Sequence, residues 1–86
     1  MQRGTFMHYV YLLRSISNPD QRYIGLIRDL KKRFRDHNSK ASIHTAKYGP
    51  WELVTYMAFA AERRAKEFEY YLKSRSGRAF ANKRLW

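Results

Sequence analysis

YVYLLRSISNPDQRYIG, residues 9–25, alternates tyrosine with aliphatic residues, breaks at a polar turn, and resumes with a tyrosine two residues before a glycine. The stretch His8 to Arg14 (HYVYLLR) is aromatic, aliphatic and β-branched, the composition of a strand. Asn18, Pro19 and Asp20 form a turn cluster, in which proline presets its own φ and aspartate can bond locally. RYIGLI, from Arg22 to Ile27, resumes the strand, so the two halves read as an antiparallel hairpin. The hairpin leaves one question open: whether Tyr11 and Tyr23 are core packing or phenols placed for chemistry.

Outward from the hairpin the pattern changes period. Ile27, Leu30 and Phe34 step by three and four beside a basic face, predicting a helix over Arg28 to Asn38. Residues 39–50 are small and polar and close on Gly49-Pro50, which reads as a loop. WELVTYMAF, Trp51 to Phe59, has the composition of a third strand. Ala61, Ala65, Phe68 and Leu72 step by four, three and four, predicting a second helix of about four turns. Gly77 reads as its stop, with room for one last short helix after it. The expected class is α+β: a small three-stranded antiparallel sheet flanked by helices, in the order β-β-α-β-α. Residues 1–7 read as a short extension, and 8–84 as one domain.

Composition narrows the function. Forty-four per cent apolar and sixteen per cent aromatic residues suffice for a folded core, against disorder. The absence of cysteine excludes a disulfide framework, a thiol nucleophile and a thiolate zinc site. No stretch reaches the length of a membrane span, and the first ten residues are too polar for a signal peptide, so a cytoplasmic location is expected. Eighteen Lys and Arg face seven Asp and Glu, a net charge of +11. So large a charge repels itself in a compact chain, and a polyanionic partner relieves it; nucleic acid is the expected one.

Tyr9-Val10-Tyr11 and Tyr23-Ile24-Gly25, with eleven residues between Tyr11 and Tyr23, are followed by DLKKRFRDHN, by HTAKYGPWELV and by EFEYYLKSRSGRAFANKRL. In that order these blocks resemble the GIY-YIG nuclease family, in particular its small standalone bacterial members. The resemblance covers about residues 8 to 84. It implies a DNA endonuclease of low sequence specificity, acting with Mg²⁺ or Mn²⁺, on DNA that is branched, damaged or single-stranded. It carries the family's catalytic residues onto Tyr11, Tyr23, Arg33, His37 and Glu69, with Glu69 the metal ligand and Asn82 the candidate for a late asparagine. Tyr9 departs from the family's first glycine, and Ile27 stands where a hydroxyl is common.

The residue chemistry is compatible. Phosphodiester hydrolysis needs an activated water, counter-charge for the developing oxygens and help for the leaving group. Mg²⁺ can be held by one carboxylate, with water and phosphate completing its shell. A phenol titrates near pH 10 and needs positive charge beside it to act as a base. Either tyrosine can fill that role, and Tyr11 is the expected one. Arg33 offers a guanidinium fork for phosphate oxygens, and His37, one turn later, shares its face. Each residue also has a purely structural account. Glu69 can pair with Lys66 or Lys73, Arg33 with Asp29, and His37 can close its helix. His44, Lys47, Lys73, Arg75, Arg78, Lys83 and Arg84 are expected to contact backbone phosphate, which gives affinity without sequence information. The competing function is a nucleic-acid-binding module with little or no turnover.

Overall fold

The computed structural model describes residues 7–39 and 46–86. The expected extension lies outside these residues except for Met7, as does His44. The order is β1 (His8–Ser15), β2 (Arg22–Ile27), α1 (Leu30–Asn38), β3 (Trp51–Phe59), α2 (Glu62–Leu72) and α3 (Arg75–Arg84). The sheet order is β2-β1-β3, and β1 pairs antiparallel with both neighbours. No helix among the described residues is long and apolar enough to cross a membrane.

The central strand explains its own sequence. Val10, Tyr11, Leu12 and Leu13 are all buried, because helices cover both faces of β1. Val10 and Leu12 point one way and pack with Ala65 and Leu72 of α2 and Ala81 of α3. Tyr11 and Leu13 point the other way, into a second cluster with Trp51 that Leu30 and Phe34 of α1 cover. A strand enclosed on both sides loses the apolar-polar alternation of a half-buried one. Against β3 the register shifts between Leu12 and Leu13: Leu12 faces Thr55 and Leu13 faces Leu53, leaving Val54 as the extra residue.

The hairpin turn is fixed by Ser15. Its hydroxyl donates to the Tyr48 carbonyl at 2.6 Å and accepts from the Asn18 amide at 3.0 Å. Asp29 caps α1 by accepting from the Lys32 amide at 3.0 Å, so the helix starts at Leu30 and not at Arg28. At the other end of α1, Asn38 imitates a strand partner. Its amide donates to the Trp51 carbonyl at 3.0 Å, and its Oδ1 accepts from the Trp51 amide.

The C-terminal region ends in the last short helix and differs from expectation in the role of Gly77. A third helix follows α2 almost at once, and Gly77 lies inside its first turn rather than ending α2. Ser74 makes the junction: its hydroxyl donates to the Tyr71 carbonyl at 2.6 Å and accepts from the Gly77 amide at 3.2 Å. A Cβ on Gly77 would overlap the Tyr71 carbonyl, with the Leu72 Cα only 2.8 Å away. The glycine is there for close approach between two helices. Its function as a spacer reads in sequence like a stop, because both uses place glycine at a helix boundary.

Candidate active site

The two phenols come together through the hairpin register. Tyr11 faces Gly25 and Leu13 faces Tyr23, so Tyr11, Tyr23 and Gly25 share one face of the sheet. The ring centroids of Tyr11 and Tyr23 are 6.0 Å apart. Gly25 leaves the space that the Tyr11 ring occupies: a Cβ there would overlap the phenol at Cζ and Oη and approach Cε1 to 2.7 Å. The glycine of the second tripeptide thus seats the tyrosine of the first.

His37 closes over the pair from α1. It is 1% exposed, its ring lies 4.9 Å from that of Tyr23, and its Nε2 shares a 3.1 Å hydrogen bond with the Tyr11 hydroxyl. The helix-closing role considered for His37 does not hold, since the side chain faces inward onto the sheet. Burial lowers its pKa, the Arg33 guanidinium lowers it further, and Asp36 opposes both. The imidazole is therefore neutral near pH 7.

Arg33 does not pair with Asp29, whose carboxylate caps the helix instead. It makes no ion pair among the described residues, and its charge falls on His37 and Tyr11. Glu69 arrives from α2, in the layer on the opposite face of the sheet. Lys66 pairs with Glu62, while Lys73 takes Glu69 at 2.5 Å. The Glu69 side chain is 21% exposed, and its charge reaches Tyr11.

Tyr11 stands where these fields meet. Burial pushes its pKa well above the ordinary phenol value, and the Tyr23 phenol adds to the rise. Arg33 pulls it back, and Glu69 raises it again. A phenol 2% exposed and holding its proton this firmly is a poor base as it stands. Tyr23 is half-buried and lines an open cavity with Lys73 and Arg78. The expectation that Tyr11 takes the proton thus meets a physical objection.

Among the described residues no group of three His, Cys, Asp or Glu could hold a metal ion. A Mg²⁺-type ion that keeps most of its water and shares substrate phosphate needs only one or two carboxylates, and Glu69 fits that requirement. Of the expected phosphate contacts, Lys47, Lys73, Arg75, Arg78, Lys83 and Arg84 are all exposed. Lys73 and Arg78 line the cavity beside Tyr23; Lys47, Arg75, Lys83 and Arg84 do not. Sequence reasoning missed Arg22 and Trp86, which line it too. The available signal for Arg22 was its position directly before Tyr23; nothing marked Trp86.

This fold, with two strand tyrosines, a helical Arg and His, and a carboxylate on a later helix, is that of a GIY-YIG endonuclease domain. Residues 7–84 match the GIY-YIG catalytic domain, and the chain belongs to that family. A structure-specific endonuclease subunit SLX1 homolog of Giardia intestinalis is 35% identical over 72 residues, which span 79% of this chain and 20% of that protein. The chain spans 15–25% of the SLX1 relatives' length. A UPF0213 protein of Bacillus pumilus is 37% identical over 68 residues, 78% of this chain and 67% of that protein. The solution NMR structure of a UPF0213 protein from Bacillus halodurans has a TM-score of 0.54 at 31% identity, covering 90% of this chain and 83% of that one.

Proposed function

We propose that the chain is a metal-dependent DNA endonuclease of low sequence specificity, hydrolysing phosphodiesters with Mg²⁺ or Mn²⁺ held by Glu69. The supporting observation is that the charges of Arg33 and Glu69 both fall on the Tyr11 phenol, which is packed against Tyr23 and His37. In this reading Tyr23 first gives up its own phenolic proton to solvent, then meets the attacking water as the phenolate and takes a proton from it. Tyr11 donates its hydroxyl hydrogen to the neutral His37 Nε2 and holds the Tyr23 ring in place. Arg33 clamps the non-bridging oxygens, where negative charge accumulates as the new P–O bond forms and the old one breaks. When bound, the metal ion supplies positive charge for the phosphate and the departing oxygen.

Exposed cations give affinity for any phosphate backbone, and structure rather than sequence then selects the substrate. Similarity to relatives named as structure-specific endonuclease subunits supports a branched DNA substrate. A binding module without turnover is favoured by one observation, the Glu69–Lys73 ion pair, which occupies the carboxylate.

Nicking of supercoiled plasmid with Mg²⁺ or Mn²⁺ separates the two. Glu69→Ala and Arg33→Ala should each cost about a hundredfold or more. Tyr23→Phe should lose more than Tyr11→Phe. Full activity in Glu69→Ala defeats the enzyme reading; salt-sensitive DNA binding without nicking establishes the binding module.

A further inference from the structure

Beside the catalytic cluster, on the far side of Tyr23, opens a cavity of about 400 Å³. Its polar lining is Arg22, Lys73, Arg78 and Asn82, its aromatic lining Tyr23 and Trp86, and its remaining walls are aliphatic. Three cationic side chains and no acidic side chain line it. Arg22 is held at two points: its Nη1 donates to Asn82 Oδ1 at 2.7 Å, and its guanidinium lies over the Trp86 ring, 4.7 Å from the centroid. Arg22 is also exposed, so the cation–π pair is accessible to whatever enters. Arg78 makes no ion pair among the described residues. Two walls belong equally to the catalytic cluster, Tyr23 through its contacts with Tyr11 and His37 and Lys73 through Glu69.

We infer that this cavity receives one unpaired nucleotide next to the scissile phosphate, its base against the Arg22–Trp86 pair and its phosphate on Arg78. The inference rests on the nuclease reading for its place beside the scissile bond. The chemistry of the lining carries the rest. Cations alone would suit free phosphate, but a planar guanidinium over an indole, with aliphatic walls, suits the face of a base. The volume is that of a site for a small organic molecule. A base reaches a concave site of this kind only after leaving its stack, which costs least where it is already unpaired. Selection of branched or single-stranded DNA then follows from the cavity itself. Asn82 thereby acts as a positioning residue, working through Arg22.

The test uses the whole chain without metal, titrated with dAMP or inorganic phosphate and followed by NMR. dAMP should shift the Trp86 indole N–H and the amides around Arg22 and Arg78, whereas phosphate should shift only those around Arg78. Arg22→Gln, at an exposed position, should weaken dAMP about tenfold and leave phosphate unchanged. Trp86→Ala should do the same, and Trp86→Phe should retain binding, which separates stacking from a loss of fold. In a DNA flap, 2-aminopurine at the unpaired position beside the junction should be quenched in wild type and not in Arg22→Gln. Equal affinity for dAMP and phosphate, or 2-aminopurine unchanged on binding, overturns the inference. If plasmid nicking persists in that case, the nuclease reading survives alone; nucleotide binding without nicking leaves the cavity as a nucleotide site and removes the nuclease reading.

Discussion

Gly25→Ala tests whether the hairpin places Tyr11 for catalysis or merely packs it. The added methyl would fall on the Tyr11 ring, overlapping Cζ and Oη and lying 2.7 Å from Cε1. Tyr11 is 2% exposed on the central strand, so its ring has no open side into which to move. Two effects oppose each other. Alanine restricts the unfolded chain and so favours folding by about 0.4–1 kcal/mol. Overpacking a filled interior costs about 1–3 kcal/mol. Overpacking prevails, and urea denaturation should show a net loss of about 1–2 kcal/mol with the m-value unchanged. The Tyr11 ring must shift, and His37 and Tyr23, which touch it, must shift as well. A displacement of about 1 Å at a reacting group can cost a hundredfold, so nicking by the folded fraction should fall by about that factor. Adding Tyr11→Phe removes Oη, one of the overlapping atoms, and the double variant should be less destabilised than the sum of the singles. It should not regain activity. A Gly25→Ala protein with the expected loss of stability but wild-type nicking would refute the claim that this contact serves the chemistry.

Four further outcomes follow from the same packing. His37 is buried with a lowered pKa, so the unfolded chain binds a proton that the folded chain refuses; stability should fall as pH drops below about 6.5, by at most about 1.4 kcal/mol per unit, and His37→Gln should flatten that slope in urea titrations. Tyr11 is shifted the opposite way, so stability should also fall above about pH 10, where the unfolded phenol releases its proton and the folded one keeps it; Tyr11→Phe should remove that limb. Asn38→Ala removes the side-chain partner of both the amide and the carbonyl of Trp51 and should cost about 1–3 kcal/mol, whereas Gly77→Ala should cost about 1–3 kcal/mol through overlap at Tyr71, each read as a lowered Tm.

Local chemistry was readable from the chain; long-range partners were not. The strands Arg22–Ile27 and Trp51–Phe59 lie where their composition puts them, because aromatic and β-branched residues between turn signals have few other uses. The run Val10 to Leu13 was readable as a strand but not as the central one, since enclosure on both faces depends on helices packed from far along the chain. His37 shares its helix face with Arg33, yet the two differ in fate: His37 reaches the Tyr11 hydroxyl, while Arg33 acts through its charge. Spacing fixes the face and says nothing about depth. Arg22 and Asn82, sixty residues apart, meet only when α3 folds back beside β2. No local propensity encodes that contact.

The Glu69–Lys73 pair decides how far the structure weighs against turnover. It is an i,i+4 pair with the lysine side chain 53% exposed. A pair of this kind is worth about 1 kcal/mol or less, because water and salt screen it and both side chains must be held in one geometry. Opening it costs Lys73 little, since its ammonium returns to solvent beside the cavity it already lines. Glu69 is different. Its side chain is 21% exposed beside Lys73, and the same carboxylate helps hold the Tyr11 proton in place. A divalent ion bound there would take the carboxylate in place of Lys73 and supply stronger positive charge. The lysine therefore behaves as a placeholder for positive charge, and an ion pair this weak gives no reason to read the site as closed.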